Sequence, residues 1–444
     1  MSFRTYLALA LLALALLAIL LPAPVAAQDD GPTLAPGAYV GPGTCANGAC
    51  HGAPEPRAGD SILGNEYTSR VLDPHFRAYD VLGSELAAAM AEALSPGSSA
   101  FELESCLACH AVQVAAGVPS SGIYADDGIS CEGCHGPAGG WLARHHDEGW
   151  SHADSVAAGM NDLRRPAVRA EVCFGCHLGD ESRKVDHRLI AAGHPRLTFE
   201  LDNFSEVDDP ENQQLLRHWR PSRVAAGHGV RAWAAGQATA FASSLRRLAD
   251  DAEGDGPWPE FAALDCAGCH HPVGDGSWRQ RAGYSFRGGL PQWSPAPWAV
   301  LRHLVAEFDG DLASELDTEV EKLANRVASL RHPDKVAGQA RALADRLADL
   351  APRLEGLRFD RGRTRDLVDR LTTDGERLLA ADLASAEQVA WALQSLEAHQ
   401  RRLTGRRGSQ EQTAALDRLF AELADPMAFD AERFVAQLKA LGGL

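Results

Sequence analysis

The chain has 444 residues, room for about three domains of ordinary size, and its 45% apolar and 23% charged residues are the proportions of a folded protein. Its 42 Lys and Arg stand against 60 Asp and Glu, a formal net charge of −18. That balance argues against a nucleic-acid binder, which needs a basic surface to meet phosphate.

Residues 1–27 read MSFRTYLALALLALALLAILLPAPVAA. One basic residue, Arg4, precedes sixteen apolar residues from Tyr6 to Leu21. Pro22 and Pro24 stop the run, and Val25-Ala26-Ala27 offers small residues for cleavage. The pattern predicts a signal peptide over 1–27. An uncleaved membrane anchor is the alternative, because the run approaches the length of a span. Either reading puts the rest of the chain outside the cytoplasm, periplasmic or otherwise extracytoplasmic. Residues 28–43 are rich in Gly, Pro and Asp and read as a flexible lead-in.

Residues 44–297 carry all ten cysteines and most of the histidines. The helices predicted there are Ser84–Leu94, Asp162–Cys176 and, longest, Arg231–Ala252; strand signals are nearly absent. The cysteines form five close pairs. Four read CxxCH: CLACH (Cys106, Cys109, His110), CEGCH (Cys131, Cys134, His135), CFGCH (Cys173, Cys176, His177) and CAGCH (Cys266, Cys269, His270). The fifth, CANGACH (Cys45, Cys50, His51), has two more residues between its thiols. Histidine is 17 of 444 residues, so composition alone would follow five pairs with His about once in ten million. Zinc sites would use pairs two at a time and leave the histidines unexplained. Disulfides in such small rings would stabilise little. CxxCH attaches haem c. Two thiols one helical turn apart add to the two vinyl groups, and the next imidazole binds the iron. The expectation is five covalent haems, with the extra residues of CANGACH bulged so that both sulfurs reach one macrocycle. Each haem is a large apolar body, so the haems themselves become the core of 44–297.

Twelve histidines remain as distal ligands, against three methionines after the initiator, Met90, Met160 and Met427. Bis-histidine ligation and low potentials follow. The leading candidates are His75 in LDPHFRAYD, His145 after Trp141, His187 and His194 in VDHRLIAAGHPRL, and His218 in RHWR. His145 and His146 would point about 100° apart on a helix, so one of them serves a given iron. His187 and His194 would stand roughly 10 Å apart on a helix and serve different irons. His152, His228 and His271 are further candidates. For each, the alternative is a surface histidine or one bonded to a propionate. Arg144, Arg164, Arg165, Arg196, Arg220 and Arg279 could neutralise propionates or simply be solvated.

From Trp298 to the C-terminus cysteine disappears, and Ala, Leu, Glu and Arg recur at helical spacing. Residues 298–444 read as a bundle of four or five amphipathic helices. Ser385-Ala386-Glu387-Gln388 and Ser409-Gln410-Glu411-Gln412 match the capping-box pattern. His303, His332 and His399 read as surface residues. The charged faces are solvated or, alternatively, a surface for docking or self-association.

The stretches EYTSRVLDPHFRAYDVLGSE, DGISCEGCHGPAGGWLARH, CFGCHLGD…VDHRLIAAGHPRLTFEL and WPEFAALDCAGCHHPV…SWRQRAGY resemble secreted bacterial multihaem c-type cytochromes. These are related to the tetrahaem cytochrome that accepts electrons from hydroxylamine oxidoreductase. The resemblance covers roughly residues 40–300. It implies a mainly α, haem-packed fold and bis-histidine ligation, and by motif match it supports His75, His145, His187 and His194 as distal ligands. This chain departs from the tetrahaem type in its five motifs and its unusual first one.

The reading is an electron carrier between periplasmic redox proteins, or from a membrane quinol-oxidising complex, with no nucleic-acid partner. The alternative is a haem enzyme with one iron open to a small nitrogen or oxygen species. The absence of a CxxCK motif weighs against it. A third reading is a structural subunit that anchors a larger complex through the C-terminal helices.

Overall fold

A computed structural model describes residues 35–57, 64–205, 227–270, 292–374, 382–405, 409–426 and 428–441. The signal-peptide segment 1–27, His218 and His271 lie outside the described residues. Among those described, the secondary structure is helical, and β structure is confined to two isolated bridges, Tyr39 with Ser120 and Leu264 with Trp293. No described helix is long and apolar enough to cross a membrane.

The first helices are short and sit where the cysteine motifs are. Glu85–Leu94 starts one residue after Ser84, whose hydroxyl accepts from Ala87 N and caps it. Glu104–His110, Cys131–His135 and Pro166–His177 each end on a motif histidine. The third begins later than the predicted Asp162, because Pro166 occupies the first helical position and needs no amide partner there. His187–Ala191 ends before His194, so those two histidines do not share a helix. His145 lies in a turn after Trp141 rather than on a helix. The lead-in is not loose throughout. Ala38 and Val40 are buried, and the buried carboxylate of Glu132 accepts from Val40 N at 3.0 Å and Gly41 N at 2.8 Å. Those bonds hold the segment that carries the first motif against the third.

His228–Glu253 has 26 residues, about 39 Å of helix. From Gly229 to Ala242 it is buried on nearly every side except at Arg231. A run rich in Ala and Gly makes that possible, since small side chains let neighbours approach the backbone. It packs against Pro333–Ala348, Ala351–Glu355 and Pro166–His177. Phe241 stacks with Trp293 and Trp298, ring centroids 6.0 and 5.8 Å apart.

Beyond Trp298 the described residues form eight helices, not four or five: Trp298–Ala306, Gly310–Ala328, Pro333–Ala348, Ala351–Glu355, Arg361–Thr373, Leu383–Thr404, Gln410–Leu423 and Ala431–Leu441. One apolar core joins them to His228–Glu253 and so runs across the 297/298 position. Ser409 and Gln412 form the predicted capping box. The other predicted box does not form: the helix starts earlier, capped by Asp382, whose carboxylate accepts from Ser385 N. Gln388, which would close that box, instead accepts from Gln237 Nε2 at 2.9 Å. His399 is buried and bonds Phe359 O at 2.8 Å, and His303 bonds Asp374 at 3.0 Å, so neither is a plain surface residue.

Candidate haem-binding site

A helix that carries C-x-x-C places both thiols on one face, one turn apart, and here the helix stops at the following histidine. The last motif keeps the same closure in a tighter turn, with His270 N donating to Cys266 O at 2.8 Å. The first motif reproduces it across its longer spacing. Cys45 ends the helix Pro42–Cys45, a turn forms at Asn47, and His51 N still reaches Cys45 O at 3.3 Å. The bulge requires Gly52, because a Cβ there would lie 1.8 Å from Ala46 O.

The motifs converge. The thiols of Cys45 and Cys131 lie within hydrogen-bond reach of each other, as do those of Cys109 and Cys176. The first motif therefore adjoins the third, and the second adjoins the fourth. Burial pushes the Cys134 and Cys173 thiols up, to about 12 and about 11. Hydrogen bonding from Cys109, aided by the Arg183 guanidinium, holds Cys176 down at about 6.

The histidines supply the sharper observation. A metal–imidazole bond is about 2.0–2.1 Å and a ring nitrogen lies roughly 1.1 Å from the ring centre, so two imidazoles facing one metal put their centroids about 6.2 Å apart. His51 and His145 are 6.3 Å apart with planes 10° from parallel. His187 and His270 are 6.1 Å apart at 29°. His75 and His177 are 5.9 Å apart at 81°. Each pair joins one motif histidine to one predicted distal histidine from elsewhere in the chain.

Hydrogen bonds at Nδ1 orient these rings, as expected of imidazoles that bind metal through Nε2. His51 donates to Glu66 at 3.0 Å, His75 to Asp73 at 2.9 Å, His110 to Ala78 O at 2.7 Å and His145 to Leu142 O at 2.6 Å. Burial holds His177 neutral, with its pKa down at about 4, and a neutral imidazole is what an iron needs. The carboxylates push the pKa values of His51 and His75 up. His194 donates to Pro195 O at 2.7 Å and shows no ring contact with a second imidazole among the described residues. His152 offers Nε2 to Asp162 at 2.9 Å, which engages the nitrogen that the other rings keep for the metal.

Of the arginines singled out, Arg144 pairs with Asp147 at 3.3 Å, Arg165 with Glu355 at 3.5 Å, and Arg196 with Glu387. Arg164 is exposed, and Arg220 and Arg279 lie outside the described residues. Sequence reasoning missed Arg169. It is 6% exposed, lies one turn before Cys173, and its Nε finds no acceptor. A buried guanidinium in that state suits a propionate. The apolar surface points the same way. Among the described residues nine large hydrophobic side chains are exposed, and eight of them, including Val71, Val81, Leu86 and Phe261, precede residue 271. Phe261 stands 5.6 Å from the His187 ring. Side chains of this kind fit the faces of haems.

Paired thiols, facing imidazoles and uncovered apolar walls fit a c-type cytochrome, in which a bound haem would supply the one-electron chemistry. Residues 45–136 match the family described as cytochrome c554 and c-prime. No curated protein and no solved structure matches the chain.

Proposed function

We propose that the chain carries electrons between redox partners outside the cytoplasm through five covalently bound haems. One observation carries this reading: three motif histidines each face a second imidazole at the spacing that one iron spans. The proposed ligand pairs are His51 with His145, His177 with His75, and His270 with His187. His110 and His135 complete the five proximal ligands. His194 and His218 are the distal candidates left for them. Haems held at these motifs would be close neighbours, because thiols of the first and third motifs and of the second and fourth lie within hydrogen-bond reach, and an electron entering one could move to the next. Kinship with the acceptor of hydroxylamine oxidoreductase belongs to the same proposal, as does export by the leader-like residues 1–27.

The chain's own residues would do four things. The thiols fix each macrocycle, the Nδ1 partners aim the imidazoles, Arg169 offers charge to a propionate, and Glu132 fastens the first motif to the third. The net charge of −18 favours a partner with a basic face, and each ferric bis-imidazole haem with two ionised propionates adds about −1. Association should weaken as salt rises. We propose periplasmic redox proteins or a membrane quinol-oxidising complex as partners.

A second reading attaches to His110. No second imidazole faces it among the described residues, and an open iron there could bind a small nitrogen or oxygen species.

Intact mass and electron paramagnetic resonance of the oxidised protein test both readings. Five haems with low-spin signals throughout support the carrier. A mass gain of four would remove CANGACH from the set. A high-spin signal that shifts with nitrite or nitric oxide would favour the open iron.

A further inference from the structure

We propose that Glu66 and Asp73 set haem potentials: each carboxylate accepts the Nδ1 proton of an axial imidazole and makes its own haem harder to reduce. The haems concerned are those on His51/His145 and on His177/His75, so the inference rests on the ligand pairs proposed above.

The two carboxylates differ in kind from the other Nδ1 partners. Glu66 Oε2 stands 3.0 Å from His51 Nδ1, and Asp73 Oδ1 stands 2.9 Å from His75 Nδ1, with both carboxylates largely buried. His110, His145 and His194 instead donate to the neutral carbonyls of Ala78, Leu142 and Pro195. A carboxylate draws the Nδ1 proton toward itself and gives the ring imidazolate character. The ring becomes a stronger donor, ferric iron gains more from it than ferrous iron, and the potential falls. A full negative charge a few ångströms from the iron acts in the same direction, and partial burial limits its screening.

At His51 the Arg57 charge opposes the Glu66 carboxylate and is the weaker of the two. Arg57 donates to Gly48 O at 3.1 Å, and Arg183 is paired with Asp180 while its Nη1 stands 3.5 Å from Cys176 Sγ. The sequence separates the pairings too. Asp73 is the N-cap of the turn Pro74–Arg77 and accepts from His75 N as well as from its ring, so one side chain both shapes the turn and holds the imidazole. Glu66 opens the helix Glu66–Ser69, fifteen positions from its histidine.

The consequence is a built-in gradient. Cys109 and Cys176 touch, so the haem on His177/His75, with its carboxylate, adjoins the haem on His110, with its carbonyl. An electron shared by that pair rests on the His110 haem.

The test is a redox titration of the intact, haem-loaded protein followed by electron paramagnetic resonance. Ferric haems with nearly perpendicular imidazole planes give a signal distinct from those with nearly parallel planes, so the His75/His177 haem at 81° can be told from the His51/His145 haem at 10°. Asp73→Asn should raise the midpoint of the perpendicular haem alone, and Glu66→Gln that of one near-parallel haem alone. Asp73→Glu and Glu66→Asp, which keep the charge, should stay near wild type. Asp162→Asn, at a carboxylate bonded to His152 outside the pairs, should move nothing. Unmoved midpoints in both amide variants, with every haem attached and low-spin, would overturn the proposal. So would loss of a low-spin haem in those variants, which would make the carboxylates structural props. A wild-type protein with no bis-imidazole signal would overturn the ligation reading itself.

Discussion

Two regions of this molecule solve the problem of a core differently. The helices after Trp298, with His228–Glu253, bury a continuous apolar interior of Leu, Val, Ala and Phe drawn from every helix. The motif region up to residue 205 buries only small separate groups, such as Leu82 with Ala87, Ala91 and Ala100, or Val40 with Ala138 and Trp141. It leaves Val71, Val81 and Leu86 facing outward. The first region is held by its own side chains. On the proposed function the second is a mould around haems, and its polypeptide would supply attachment points, ligands and walls.

The regions meet through an apolar contact, Phe174, Phe199 and Leu201 against Ala232 and Ala240, and beside it a polar seam. Arg196 and Thr198 bond Glu387, and Asn203 Nδ2 bonds Trp391 O at 3.1 Å. Glu200 and Asp202 lie buried in the same seam. The C-terminal helices therefore brace the segment that follows His187 and His194. Burial sets the energetics of the seam, since polar groups there are costly unless bonded.

The strongest challenge to the contrast is to withhold haem attachment. Full-length protein made without it should be cut by protease throughout residues 44–205, while a fragment covering the C-terminal helices resists. Fragment masses check this, and equal resistance of both regions would show that the motif region needs no haem to fold. A smaller effect comes from within the bundle. Leu347→Ala empties a fully buried position and should cost about 2–5 kcal/mol. Denaturation followed by helical circular dichroism should register that loss, with the haem spectrum unchanged in the native state.

The smallest effect belongs to the seam. Burial, with the Asp202 charge beside it, pushes the Glu200 carboxyl up from its ordinary 4.5 to about 7. Between those values the folded protein binds more protons than the unfolded chain. Stability from this group is therefore greatest below the lower value and falls as pH rises toward the upper one. The slope from one proton is at most about 1.4 kcal/mol per pH unit. Denaturant midpoints between pH 5 and 8 should fall with pH in the wild type and fall less steeply in Glu200→Gln. An equal slope in both proteins would assign the dependence to other groups.

Much of the proposed site was legible because the haem-attachment motif is a local pattern. Cys, two residues, Cys and His is complete within five positions, and a single helical turn is enough to present it. His75, His145 and His187 stood out through their surroundings, and the structure brings each to a motif histidine. Which of them meets which was not legible. His145 lies near Trp141 in sequence yet faces His51, 94 positions earlier. Arg169 was passed over because an arginine on a helix carries no local mark of burial. The Ser385 box failed for a related reason: Asp382 stood three residues upstream as a competing cap, and Gln237 claimed Gln388 from 151 positions away.

The amino-acid order by itself determined what chemistry the chain can hold, since covalent spacing and helical period act within a few residues. It also determined where the interior is aliphatic, because periodicity reports which face of a helix turns inward. Only the tertiary structure decided which imidazole stands opposite which, that His228–Glu253 joins the C-terminal core, and which carboxylates reach the rings. Those outcomes depend on contacts between residues far apart along the chain, and their geometry is fixed only when the whole polypeptide packs.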